Sequence, residues 1–513
     1  MLSSNNNGFS PFHTARGTIL VSIRAIVASL ATAIFFISIA RILPSLSELG
    51  LLQGIQSIII FSAILSGSDL SRAAMRFISY HEGGGRNDSA NTIYPTVFSI
   101  GIGLSALISI LVYALADPIS AILFHNSVYQ GLIQLSALDI FLFSLVTYST
   151  SFLYAMQRFR KASIILVVNT VLKFSLAFIL FLLDYGIEGI IIGFIIGDGI
   201  AFIIFLIELS PKLRNRISSL KEMKPLIRYS APLFGSSILV YLSREIDVFL
   251  LLLFTNLTIV GTYSPAVFTA YILLLFLTSV DQSLAPLFSR IYGRFGVIEV
   301  NKLAKSISRY VFLVYFPVSF ALLASVPFLL PSLLGERYIE SIYPSIIVIS
   351  ALIFTAMIPI FNNVLMSSGR TQVFLYASAV GVALQVLVSV FAIPLFGASG
   401  AAVAKAIAYV VAFVVPAYYL KKVYGHLPYD RTMLWKTLIG SLISALTILL
   451  INLSYHSIPA IPISYVCGLF VYLFILRLTK ALTVKDIETI NEILSGNAKF
   501  FMDIFAKIVI RKT

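Results

Sequence analysis

The sequence is poor in charge and in cysteine. Charged residues make up 11% of its 513 residues, whereas a soluble protein carries about 25%. Cys467 is the only cysteine, which excludes an internal disulfide and a cysteine-based metal cluster. The sequence contains no P-loop, HExxH or GxSxG motif, so we expect neither ATP hydrolysis nor zinc chemistry. We therefore expect a protein that is not an enzyme and that uses no cofactor.

Long apolar runs fill most of the chain. Hydrophobic residues make up 59% of the sequence, and about 20 consecutive apolar residues are enough to cross a bilayer as a helix. The first run has no small-residue cleavage site after it, so we interpret it as a retained span. The sequence predicts an all-α, polytopic membrane protein with 14 transmembrane helices. The runs lie at residues 17–40, 49–68, 92–116, 131–155, 162–183, 187–208, 229–254, 260–288, 308–333, 342–366, 372–394, 397–419, 433–453 and 458–478.

The 36 lysines and arginines are divided unequally between the two sides of these spans. Only Arg41 and Arg337 fall in one set of loops and four fall inside spans, whereas the other 30 lie in the alternate loops and the tails. Positive residues accumulate on the cytoplasmic side of a membrane protein. We therefore expect both termini in the cytoplasm and the chain in the cell membrane. This topology accounts for the net charge of +14, so no nucleic-acid partner is expected.

An offset of 211 residues relates the two halves of the sequence. It aligns three pairs of glycines: Gly50 with Gly261, Gly186 with Gly397, and Gly189 with Gly400. Small residues at every fourth position of spans six and twelve also coincide under this offset, and such spacing is typical of closely packed membrane helices. Each half contains six spans. We therefore expect two lobes in the same orientation, related by an axis along the membrane normal.

The predicted domains follow from this repeat. They are a cytoplasmic N-terminus (1–16), a first lobe (17–210), a cytoplasmic linker (211–228), a second lobe (229–421), two further spans (433–478) and a cytoplasmic tail (479–513). The tail places Phe500, Phe501, Ile504 and Phe505 in an apolar stripe near Lys507. We interpret it as an amphipathic helix that binds the lipids of the inner leaflet.

Span seven, residues 229–254, contains three charged residues. A charge in lipid costs roughly 2.5–3.5 kcal/mol per residue. Arg244 and Asp247 lie about 60° apart on a helical wheel and can share a face, whereas Glu245 must face elsewhere or be protonated. The sequence leaves two interpretations of Arg244 and Asp247 open. They form either a structural ion pair between helices or a charge pair that lines a substrate cavity.

Other polar residues inside the spans complete the candidate site. The four cations are Arg24, Lys173, Arg244 and Lys405, the four carboxylates are Asp139, Asp198, Asp247 and Asp281, and the uncharged members are Asn169, Gln282, Asn362 and Asn363. Asn169 and Lys173 are four residues apart and share a helix face. We expect these side chains to point into a water-filled cleft between the halves. The alternative is that they form scattered hydrogen bonds between helices. The five histidines have no metal-ligand spacing, so no metal site is expected.

Four segments resemble the multidrug/oligosaccharidyl-lipid/polysaccharide flippase superfamily. They are ARILPSLSELGLLQGI, DLSRAAMRFISYHEGGG, YSAPLFGSSILVYLSREIDVFLL and GERYIESIYPSIIVISALIF, and the resemblance covers about residues 10–495. It implies two six-helix lobes in a V shape that alternate access, with two helices added at the C-terminal end. Fourteen spans are closer to the polysaccharide and lipid-linked oligosaccharide branch than to the drug and cation antiporters. The chain lacks the cluster of arginines in one span that lipid II flippases show, which disfavours a peptidoglycan precursor as substrate.

The resemblance implies a monomeric flippase that moves a sugar unit on a polyprenyl phosphate or pyrophosphate from the cytoplasmic to the outer leaflet. The four cations would hold the phosphate, since arginine gives bidentate contacts and lysine a point charge. The four carboxylates would act as counter-ions or would bind Na+ or H+ as a coupling ion. The alternative function is a cation-coupled exporter of drugs or small molecules from the same superfamily. The short outer loops disfavour a glycosyltransferase or polymerase.

Overall fold

A computed structural model describes residues 11–83, 87–217, 220–455 and 459–481, and every element in these ranges is helical. The predicted all-α class is therefore confirmed for this part of the chain, which contains ten helical stretches long and apolar enough to cross a membrane. The predicted amphipathic tail lies outside the described residues. The helices are α1 Pro11–Ile42, α2 Leu46–Leu65, α3 Ser68–Gly83, α4 Asn87–Ala114, α5 Ala116–Leu123, α6 Gln130–Ala155, α7 Phe159–Leu180, α8 Gly186–Leu213, α9 Leu220–Phe254, α10 Leu257–Leu334, α11 Ile342–Phe354, α12 Ile358–Ser367, α13 Gln372–Tyr424, α14 Arg431–Ser454 and α15 Ala460–Leu478.

Glycines with positive φ produce the sharp bends between consecutive helical segments. Gly186 follows a π-helical turn at Phe181–Tyr185 and has φ 55° and ψ −144°. Gly397 bends α13 with φ 52° and ψ −125°, and Gly296 bends α10 with φ 76°. A residue with a Cβ rarely adopts this conformation. The 211-residue offset aligns Gly186 with Gly397, and the two glycines have similar φ and ψ angles.

The chain divides into two compact units, Met1–Gly261 and Thr262–Thr513. In the first unit, α7 packs on α8 and α1, while α6 packs on α2, α4 and α8. α9 completes this unit by packing on α2 and α3. Its aromatic core includes Tyr94 and Phe152, whose ring centroids are 5.5 Å apart. Tyr148 donates a hydrogen bond of 2.7 Å to the carbonyl of Gly67 and so holds the junction of α2 and α3.

The start of α2 and the start of α10 meet at two glycines of the first unit. A Cβ on Gly50 would collide with the carbonyl oxygen of Leu257, and a Cβ on Gly261 would collide with that of Leu46. The 211-residue offset converts one of these contacts into the other, because it relates Leu46 to Leu257 and Gly50 to Gly261.

In the second unit, α11 and α12 pack on α13, and α14 packs on α15. Polar groups connect α14 to α15: Ser444 donates to the carbonyl of Gly468 at 2.8 Å, and Asn452 donates to the hydroxyl of Ser464 at 2.8 Å. Tyr472 of α15 donates to the carbonyl of Leu313 in α10 at 2.8 Å. The last two helices, which the repeat leaves out, are therefore attached to the second unit by hydrogen bonds as well as by apolar packing.

Candidate transport site

The α7–α8 hairpin of the first unit brings three predicted site residues together. Gly193 faces the backbone of Ala177, where a Cβ would collide, and a Cβ on Gly197 would lie 2.7 Å from the Cβ of Lys173. The close approach of the two helices lets Lys173 Nζ lie 2.7 Å from Asp198 Oδ2. Asn169 donates its amide to Asp198 Oδ1 at 2.8 Å. Both α7 residues bind the same carboxylate, so the prediction that they share a face is confirmed.

Asp139 of α6 adds a second carboxylate to this cluster. Its Oδ2 lies 3.9 Å from Lys173 Nζ, its side chain is fully buried, and neither oxygen accepts a hydrogen bond from a described residue. Two carboxylates therefore surround one ammonium, which gives the cluster a formal charge of −1 when all three groups are ionised. A net charge buried inside a membrane protein is energetically costly. A proton or a cation bound to one of the two carboxylates would therefore stabilise this arrangement.

An aromatic cavity adjoins the cluster. The ammonium of Lys173 lies 4.7 Å from the ring centroid of Phe194 and 5.3 Å from that of Phe143, distances at which a cation is attracted to a ring face. Phe174 stacks on Phe35 of α1 with centroids 4.5 Å apart. The cavity has a volume of about 230 Å³. Its polar lining residues are Thr32, Gln53, Gln56, Asp139 and Lys173.

The three charged residues of α9 have different environments. Arg244 is exposed on the protein surface and Asp247 is completely buried. Ser57 of α2 donates to Glu245 Oε2 at 3.4 Å, and Tyr241 donates to the carbonyl of Ser57 at 2.6 Å. Glu245 therefore faces α2. Whether Arg244 and Asp247 form a structural pair or line a cavity stays open.

The second unit contains a smaller polar pair. Asn363 of α12 donates its amide to Asp281 Oδ1 of α10 at 2.7 Å. Asn362 is buried, and its Oδ1 has no hydrogen-bond partner among the described residues. Lys405 of α13 is 4% exposed. The side chain of Gln282 lies outside the described part of the structure.

Arg24 lies in the first unit, near the N-terminal part of α1. It is half-buried, and its Nε has no hydrogen-bond partner among the described residues. The prediction that Arg24, Lys173, Arg244 and Lys405 point into one cleft stays a prediction.

Several polar residues of these sites were missed by the sequence analysis. Gln53 and Gln56 line the cavity of the first unit. Gln385 and Ser389 of α13 are fully buried, with side-chain polar atoms that have no hydrogen-bond partner among the described residues. These residues are uncharged and lie one helical turn apart within each pair, so polar spacing inside an apolar run was the signal that could have identified them. The phenylalanines that line the cavity could not be distinguished in the sequence, because the chain contains 40 phenylalanines.

Solved structures with the same fold include transport proteins. The lipid II flippase MurJ in its inward closed conformation matches with a TM-score of 0.73 and 15% identity, over 90% of this chain and 98% of that chain. An inward-facing multidrug resistance MATE family transporter of the MOP superfamily matches with a TM-score of 0.64 and 13% identity, over 79% of this chain and 97% of that chain. These likenesses show the fold alone.

Comparisons of sequence identify relatives that cover much of the chain. An uncharacterized membrane protein of Methanocaldococcus jannaschii is 23% identical over 480 residues, which is 87% of this chain and 92% of that protein. A family model described as "polysaccharide biosynthesis protein" matches residues 38–343, more than half of the chain. The chain therefore belongs to the polysaccharide biosynthesis protein family.

Proposed function

We propose that this chain is a flippase that moves a lipid-linked oligosaccharide or polysaccharide unit from the cytoplasmic to the outer leaflet by alternating access. The observation that carries the proposal is the charged cluster of Asp139, Lys173 and Asp198 beside a half-open cavity, in a member of a polysaccharide biosynthesis family. Ionisable residues inside a membrane protein are costly and mark transport paths. The substrate is a glycan on a polyprenyl phosphate or pyrophosphate.

The topology that we propose has fourteen spans and two cytoplasmic termini. Taking the arms of α10 and of α13 as separate spans, α11 with α12 as one, and α3 and α5 as non-spanning leaves fourteen. This number supports the six-plus-six repeat with two added spans, and the strong asymmetry of basic residues supports the cytoplasmic termini. The proposed assembly is a monomer in the cell membrane, with its two lobes in a V shape.

The cations have different proposed roles. Arg24, Arg244 and Lys405 contact the phosphate of the substrate at successive stages of transport, Arg24 and Arg244 through bidentate hydrogen bonds. Lys173 differs because Asp198 already holds its ammonium at 2.7 Å. Its contact with phosphate requires the carboxylate to release it. Lys173 therefore serves as an exchangeable cation, paired with carboxylates when the site is empty and with phosphate during transport.

The carboxylates provide a coupling site for a proton or Na+. The formal charge of −1 on the cluster of Asp139, Lys173 and Asp198 supports this role, because one bound cation brings the cluster to neutrality. Asp139 is the proposed position of that cation, since neither of its oxygens accepts a hydrogen bond from a described residue. The same acidic cluster supports the alternative function, a cation-coupled exporter of drugs or small molecules.

Arg244 provides the functional test. In proteoliposomes loaded with a fluorescent lipid-linked glycan, Arg244→Ala should abolish appearance of the glycan on the opposite leaflet, because the phosphate loses its cationic partner. Arg244→Lys should retain part of the activity, since the charge remains while the bidentate geometry is lost. The measurement is the rate at which an added glycosidase removes the exposed glycan.

Lys302→Ala is the matched control, because Lys302 is an exposed cation whose partner is Glu299 at 2.6 Å. It should transport at the wild-type rate. If Arg244→Ala transports the lipid-linked glycan at the wild-type rate, Arg244 does not hold the phosphate. Wild-type transport of cationic dyes, without transport of the lipid-linked glycan, would establish the exporter instead.

A further inference from the structure

The cavity of the first unit has the size of one six-membered ring. Its volume is about 230 Å³, whereas an internal cavity of roughly 150 Å³ already admits a benzene molecule. The cavity is half open, so the rest of a longer ligand can extend out of it. The cavity therefore fits one small ring, with space for a few substituents.

Aromatic rings form about a third of the wall of this cavity. Phe35, Phe143, Phe174 and Phe194 line it, and the centroids of Phe174 and Phe194 are 6.1 Å apart with the rings inclined at 71°. The face of an aromatic ring is negative, so it attracts the weakly positive C–H groups on the faces of a pyranose ring. Such a wall fits a saturated ring with polar edges.

Two amides supply the polar side of the cavity. Gln53 and Gln56 are three residues apart on α2 and thus share a face, and both are half-buried. Neither makes a side-chain hydrogen bond to another described residue. Each amide offers two donors and one acceptor, which matches hydroxyl groups that both donate and accept. Hydroxyls on neighbouring carbons of a ring are the ligand groups that such a pair binds.

The charged groups beside the cavity are already engaged with one another. Asp198 Oδ2 lies 2.7 Å from Lys173 Nζ, and Asp139 Oδ2 lies 3.9 Å from it. Contact of a phosphate with Lys173 requires Asp198 to release the ammonium. A neutral, hydroxylated ring can occupy the cavity without breaking this ion pair.

We propose that this cavity binds one sugar ring of the transported glycan, with Gln53 and Gln56 as hydroxyl-binding residues and the half-buried Phe143 and Phe174 as its aromatic contacts. This inference rests on the proposed function and extends it: the first unit recognises the sugar, and this recognition is separate from the contacts made by the phosphate. Gln53 and Gln56 then determine how strongly the flippase prefers a sugar-bearing lipid over the bare lipid phosphate.

The test compares two lipids in the same proteoliposomes, a polyprenyl phosphate carrying one hexose and the same polyprenyl phosphate without sugar. The double variant Gln53→Ala/Gln56→Ala should lose about tenfold or more in transport of the sugar-bearing lipid, because it loses at least two net hydrogen bonds. Its transport of the bare lipid phosphate should remain that of the wild type. Gln134→Ala is the matched control, because Gln134 is a half-buried glutamine of α6 outside this cavity, and it should change neither rate.

Direct binding is measured independently of transport. Saturation-transfer NMR with methyl glucoside, methyl galactoside and methyl N-acetylglucosaminide should detect binding of at least one of these sugars to the purified wild-type protein and to Gln134→Ala. The signal should disappear in the double variant. If the double variant does not fold, the single variants Gln53→Asn and Gln56→Asn keep an amide but shorten its reach, and each should show a partial loss of signal.

The outcomes separate this inference from the proposed function. If the wild type flips the sugar-bearing lipid and the glutamine variants flip it equally well, the cavity does not bind the sugar although the flippase function stands. If the wild type flips neither lipid, the proposed function itself fails. If the double variant loses transport of both lipids to the same extent, the inference is also overturned, because the defect does not depend on the sugar.

Discussion

Lys173 carries its charge into a largely buried part of the first unit and depends there on two carboxylates. Asp198 holds it at 2.7 Å and Asp139 lies at 3.9 Å. Removing one partner of a buried pair leaves an uncompensated charge, which costs more than the pair itself contributes. The cluster therefore acts as one electrostatic unit, and its members should be coupled in their effects on stability.

We expect Asp139→Asn and Asp198→Asn to be tolerated better singly than together. Each single variant leaves one carboxylate next to Lys173, whereas the double variant leaves Lys173 with neither carboxylate. Loss of a buried ion pair costs about 3–5 kcal/mol, so the double variant should lose more unfolding free energy than the two single variants added together. The measurement is thermal unfolding of the purified protein in detergent micelles.

The pair of Lys161 and Glu208 is the matched control, because its N–O distance is 2.8 Å but 55% and 27% of the two side chains are exposed. Glu208→Gln should change the unfolding free energy by less than about 1 kcal/mol. Strictly additive losses for Asp139→Asn and Asp198→Asn would contradict coupling within the buried cluster.

Helical spacing predicted part of the site at this scale, but not the partners across helices. Asn169 and Lys173 are four residues apart, and this was enough to predict a shared face. The sequence did not reveal that Asp198 would receive both side chains, because the pairing depends on how far α8 is rotated against α7. For the same reason Glu245 was predicted only to face away from Asp247, and its contact with Ser57 came from the packing of α9 on α2.

At the scale of the helix, the α7–α8 hairpin depends on the missing side chain of Gly193. We expect Gly193→Ala to destabilise the protein by about 1–3 kcal/mol, the usual effect of overpacking. The reason is that the new Cβ would collide with the backbone of Ala177, which cannot move as a side chain can. The measurement is the shift in thermal unfolding together with the fraction of protein that remains monodisperse.

Gly199→Ala is the control on the same helix. The atom nearest to a Cβ at this position is Leu142 Cδ1 at 3.7 Å, an ordinary contact. Replacing glycine by alanine inside a helix then contributes about 0.5–1 kcal/mol of stability, so the two substitutions should have opposite signs. Equal effects would mean that α7 and α8 are not closely packed at Gly193.

Hydropathy predicted where the apolar segments lie better than where the helices end. Residues 289–307 carry several basic side chains and were predicted as a loop, yet α10 continues through them with a single bend at Gly296. The reason is that apolar composition reports contact with lipid, whereas a helix satisfies its own backbone groups in lipid and in water alike. The polar helix α3 was left out of the spans for the same reason. The 3₁₀ turn at Thr355–Met357, which divides span ten, was not predicted.

At the scale of the whole molecule, the distribution of basic residues gives a testable topology. In a Cys467→Ser background, Asn215→Cys should not react with a membrane-impermeant maleimide in intact cells. It should react once the membrane is permeabilised, since the segment after α8 is predicted to be cytoplasmic. Ser127→Cys, in the exposed turn before α6, should react with the same maleimide in intact cells, because this turn is predicted to lie outside. Labelling of Asn215→Cys from outside would refute the proposed orientation.

The ion pair between Lys173 and Asp198 also affects how the chain enters the membrane. Its residues are 25 positions apart on consecutive helices, so both charges belong to one helical hairpin. A lysine or an aspartate that enters lipid alone costs roughly 2.5–3.5 kcal/mol. If α7 and α8 leave the translocation machinery together, each charge enters already matched by the other. Insertion of this costly segment can then finish during synthesis, before the second half of the chain has been made.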